Sequence, residues 1–84
     1  MFINKSQDGE NNLCGKAIAA QRKLLSMSQR QLADALQLAG LDVDKNAIQR
    51  IEAGKRFVTD IELVYFSRVL QLSYSELLDE NPLA

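Results

Sequence analysis

Residues 28–56 read "SQRQLADALQLAGLDVDKNAIQRIEAGKR", and two helical periods divided by a glycine decide the class of fold. Ser28 stands three residues before Gln31, the capping-box spacing, in which each side chain satisfies a backbone N–H that a helix start leaves without a partner. Leu32, Ala33, Leu36 and Ala39 then follow at helical spacing, and Gly40 comes where a left-handed residue can end the helix. The spacing predicts a helix over about residues 29–39. "GLDVD" breaks the period. Asp44 is suited to cap a third helix whose apolar side is Ala47, Ile48 and Ile51 and which Gly54 ends.

Outward from this stretch the pattern stays helical. Order begins near Leu13, with Cys14, Ala17, Ile18 and Leu25 on one side and Lys16, Ala19, Ala20 and Lys23 on the other. Arg22 lies beside the apolar side of that first helix, and Glu52 borders the apolar side of the third. Thr59 with Glu62 forms another capping box, before Leu63, Val64, Phe66 and Leu70. Ser73 with Glu76 forms one more, before Tyr74, Leu77 and Leu78. The expectation is an all-α, compact five-helix domain without strands, over residues 13–79. Residues 1–12, polar and aperiodic, read as a flexible arm, and residues 80–84 as a tail.

Composition narrows the chemistry. Eighty-four residues with a 46% hydrophobic content allow one small core. A single cysteine and no histidine leave no disulfide framework and no ligand set for the usual zinc sites. Cys14 and Ser28 lack the base that a nucleophile needs, and there is no glycine-rich phosphate loop, so no enzyme, cofactor or small-molecule ligand is expected. "MFINKSQDGENN" has no signal-peptide core, and no apolar run approaches the roughly 18 residues of a membrane span. A cytoplasmic protein without membrane contact is expected. Charge is uneven: residues 1–56 hold nine Lys/Arg against six Asp/Glu, whereas residues 57–84 hold one against five, which leaves a net −1.

At about 100° per residue, Asn46, Gln49 and Ala53 point nearly opposite the apolar side of the third helix, with Lys45 and Arg50 flanking them. Asn and Gln pair bidentately with adenine, and Arg and Lys with guanine, so this face offers what base edges in a major groove accept. Lys55, Arg56 and nearby backbone N–H groups can hold phosphates. Two successive helices, the second with such a face, form a helix-turn-helix arrangement.

"IAAQRKLLSMSQRQLADAL", then "AIQRIEAGKR", then "LVYFSRVLQLSYSELL" resemble the phage-repressor (Cro- and Xre-like) helix-turn-helix family over roughly residues 14–78. The resemblance rests on "SQRQLA" at 28–33, "IQRIEAGKR" at 48–56, and Leu70 followed by "SYSEL" at 73–77. It implies a five-helix domain that binds double-stranded DNA as a transcriptional regulator, a repressor, commonly as a homodimer. By position it implies base contacts from Lys45, Asn46, Gln49 and Arg50, and phosphate contacts from Gln29, Lys55 and Arg56. Gln29 would also brace the recognition helix, and Arg22 and Glu52 would form a partly buried ion pair locking that helix to the first. One departure stands out: "QLAGLDVD" separates Leu36 from Lys45 by about five residues more than the family's usual short turn. It reads as an extra helical turn ending at Gly40, a loop, Val43 as an apolar plug and Asp44 as the cap. Tyr74, Leu77, Leu78 and Leu83 exceed what a short last helix can bury and suit a subunit contact. The competing reading is an interaction module of the same fold that binds another regulator, favoured by the modest charge and by Asp79 and Glu80.

Overall fold

The computed structural model describes residue 5 and residues 9–78 of the chain. Among them are five helices and no strand: α1 (Gly15–Leu24), α2 (Gln29–Ala39), α3 (Lys45–Glu52), α4 (Asp60–Leu70) and α5 (Tyr74–Leu78). Their starts follow from local chemistry. Ser28 Oγ accepts from Gln31 N–H at 3.0 Å while Gln31 Oε1 accepts from Ser28 N–H at 2.7 Å. Thr59 with Glu62 and Ser73 with Glu76 repeat this reciprocal pairing at α4 and α5. Asp44 Oδ1 accepts from Ala47 N–H at 2.8 Å and caps α3.

The five helices enclose one core. Ile18 from α1, Leu32 and Leu36 from α2, Ile48 and Ile51 from α3, and Phe66 and Leu70 from α4 are all fully buried. Cys14, Ala33, Val43, Leu72 and Leu77 complete it. No helix of the described residues is long and apolar enough to cross a membrane.

Three apolar placements differ from the sequence reading. Leu25 is exposed rather than on the buried side of α1, because α1 ends at Leu24 and Ser26 turns the chain with φ 57°. Arg22 occupies the buried position instead. Ala39, at the last turn of α2, is exposed too. Leu77, assigned above to a subunit contact, lies inside its own domain at 1% exposure, which removes it from any such surface. Leu83, Asp79 and Glu80 lie outside the described residues. Of the stretch read as an arm, Asn12 hydrogen-bonds to Ile51 at the far end of α3 and Asn11 to Lys55 in the turn beyond it.

Candidate nucleic-acid interface

The joint between α2 and α3 uses its additional residues for defined backbone work. Gly40, at φ 112°, ends α2, and Leu41 N–H reaches back to Leu36 O at 2.9 Å. Val43, buried, plugs the joint against the core, and Gln37 Nε2 donates to Val43 O at 2.7 Å. Asp44 then starts α3, so the lengthened segment is pinned at both ends and in the middle.

Burial of Ile48 and Ile51 fixes which way α3 faces. Lys45, Asn46, Gln49 and Arg50 consequently stand exposed along its outer side. Four residues that can hydrogen-bond a base edge thus share one solvent-facing surface.

Glu52 ties that helix to its neighbours. Its Oε2 accepts from Arg22 Nε at 2.6 Å, and its Oε1 accepts from Arg22 Nη2 at 3.0 Å and from Gln29 Nε2 at 3.0 Å. Arg22 also donates through Nη1 to Met27 O at 2.8 Å. A carboxylate at the C-terminal end of a helix opposes the helix dipole, so the two-pronged guanidinium contact offsets an otherwise unfavourable position. The hydrogen bond to Glu52 raises the pKa of Arg22 above its ordinary value despite burial, keeping the charge fixed. α1, α2 and α3 meet at one carboxylate.

Beyond α3, Gly54 adopts φ 75°, and Lys55 N–H closes on Arg50 O at 2.9 Å, the left-handed ending that turns the chain towards α4. Lys55 is exposed. Arg56 is placed differently. Its guanidinium pairs with Glu62, Nη2 to Oε2 at 3.0 Å and Nη1 to Oε1 at 3.2 Å, and is only half-exposed. Burial alone would raise the Glu62 carboxyl, but hydrogen bonds from Arg56 and Thr59 outweigh it and hold the group below the ordinary carboxylate range. The sequence reading named neither Glu62 as a partner of Arg56 nor Asn11 and Asn12 as part of this surface. Asn12 carries a local signal, an Asn three residues before Gly15, where its Oδ1 accepts from Gly15 N–H at 2.8 Å.

A family model described as helix-turn-helix matches residues 18–77. The chain belongs to the helix-turn-helix family. It is of the phage-repressor type, a family of DNA-binding domains. In this helix-turn-helix domain α2 and α3 form the motif, and α1 and α4 pack against it. No curated protein and no solved structure gives a significant match to the chain.

Proposed function

We propose that this helix-turn-helix domain binds double-stranded DNA sequence-specifically in the cytoplasm, with α3 in the major groove, and represses transcription by occupying its operator. Asn46 and Gln49 read adenines, and Lys45 and Arg50 read guanines. Lys55 holds the phosphate backbone. Gln29 adds a phosphate contact through the second N–H of the amide whose first is given to Glu52. Arg56, shared with Glu62, contributes less to the grip than Lys55. Two copies act together on a two-fold operator, since one module of this size covers few base pairs.

The observation behind this reading is the exposed row Lys45, Asn46, Gln49 and Arg50 on a helix whose rotation is locked through Glu52 to both Arg22 and Gln29. Reading bases requires such fixity, because a hydrogen bond to a base edge tolerates little error in position. Selection from a pool of random duplexes tests it. Enrichment of a single motif with two related half-sites is the expected result. Recovery of no motif, with retention on duplexes no better than on a polyanion control, would overturn it in favour of the interaction-module reading.

A further inference from the structure

Two asparagines that precede α1 hold the carbonyls of the turn between α3 and α4. Asn11 donates its backbone N–H to Gly54 O at 2.8 Å and its Nδ2 to Lys55 O at 3.0 Å. Asn12 donates Nδ2 to Ile51 O at 3.0 Å and to Arg56 O at 2.8 Å, while its Oδ1 accepts from Gly15 N–H. One side-chain amide therefore joins the start of α1, the end of α3 and the turn, using both of its donors and its acceptor. The close approach depends on Gly15, where a Cβ would stand 2.2 Å from Ile51 O.

We propose that Asn12, aided by Asn11, is a positioning residue for the phosphate grip: Asn12 holds the carbonyls of Ile51 and Arg56 on either side of the turn, Asn11 those of Gly54 and Lys55 within it, and together they fix the backbone from which Lys55 reaches DNA. The proposal rests on the DNA-binding reading above. Two physical effects support it. Carbonyl oxygens engaged by the asparagines are not turned towards an approaching phosphate, which they would repel. A turn already ordered in the free protein also avoids the entropy cost of ordering on binding. Asn11 and Asn12 precede residue 18, where the family match begins.

Asn12→Ser tests the idea without changing charge, because its hydroxyl can still accept from Gly15 N–H but cannot span the carbonyls of Ile51 and Arg56. Affinity for the selected operator and for random duplex is measured against salt, beside Lys55→Ala and the double variant, with thermal melts of each protein. Asn12→Ser is expected to weaken both duplexes about three- to tenfold and to reduce the salt slope by up to about one counterion, leaving base preference unchanged. The double variant is expected to bind within about twofold of Lys55→Ala alone, since a lysine already removed cannot be mispositioned. Effects of Asn12→Ser and Lys55→Ala that multiply, or an unaltered slope, would overturn the proposal and leave Asn12 a stabilising residue only. Asn11→Ser gives up the side-chain bonds to Lys55 O and from Lys5 Nζ but keeps the backbone bond to Gly54 O; it is expected to move the slope in the same direction, so it serves if Asn12→Ser unfolds. A wild-type protein that binds no duplex would overturn the DNA reading itself. Wild-type binding with unaltered slopes in both asparagine variants would overturn this proposal alone.

Discussion

Deleting either charge of the Arg22–Glu52 pair strands the other, because their side chains are only 11% and 8% exposed. Arg22→Ala or Glu52→Ala is therefore expected to cost about 3 kcal/mol in urea unfolding, and the double variant distinctly less than the sum. Strict additivity would mean that the two charges do not interact in solution. Cys14 offers a second test. Burial pushes its thiol up to about 11, so the folded chain keeps the proton at pH values where the unfolded chain releases it. Its contribution to stability is full below about pH 9 and is lost as pH rises to about 11, a loss on the order of 2 kcal/mol. Unfolding measured across that range should show a decline that Cys14→Ala lacks. Arg22 illustrates what one residue's neighbours in sequence can tell. Its place beside Ile18 and Leu25 in the helical period marks it as an unusual cation, but the position of its partner Glu52 came from the family resemblance and not from spacing.

Helix starts are legible because their chemistry is local. Ser28 and Gln31, or Thr59 and Glu62, meet within one turn of chain, so spacing alone carries the information, and α2 runs from Gln29 to Ala39 at the limits its signals imply. Contacts across long separations have no such signature. The bonds of Asn12 to Ile51 and Arg56 join residues 39 and 44 positions apart, and nothing in a polar N-terminal stretch distinguishes them from solvated asparagines. The pairing of Arg56 with Glu62 spans only six positions and is still hidden, because the sequence neighbours of Arg56 reveal a cation but not the carboxylate that Thr59 and α4 present to it. That carboxylate yields a prediction for α4. Glu62 is held below its ordinary pKa, so its stabilising effect is present above about pH 4.5 and is lost as pH falls through the lower folded value. Glu62→Gln keeps an acceptor for Thr59 N–H, and acid unfolding of this variant should be flatter than that of the wild type. On α3 the expected pattern is the opposite, function without stability. Asn46→Ala or Gln49→Ala should leave unfolding within about 0.5 kcal/mol, yet cost about 1–3 kcal/mol at the preferred site and flatten discrimination at one or two base pairs.

A molecule of net charge −1 can hold a polyanion only if its cations converge and its nearby acids are neutralised. The excess of cations in residues 1–56 is visible in the sequence, but the second condition is not, because it depends on which acid meets which base. In the folded chain Glu52 is matched by Arg22 and Glu62 by Arg56, so Lys45, Arg50 and Lys55 stand on the surface of α3 and its turn without those two carboxylates opposing them. The proposed dimer requires a second surface. Leu77 being buried, the candidates on α5 are Tyr74 and Leu78, at 52% and 41% exposure, on a helix that packs beside α1. Exposed apolar groups of this size tolerate a charge in the monomer and not across an interface. Tyr74→Ala with Leu78→Asp should therefore sediment as a folded monomer at concentrations where the wild type is dimeric, with an unchanged circular dichroism spectrum. On the operator it should protect one half-site and show about half of the wild-type salt slope, since each copy releases its own counterions. A wild type that remains monomeric at high concentration and protects a single half-site would remove the dimer while leaving the reading of bases by α3 intact.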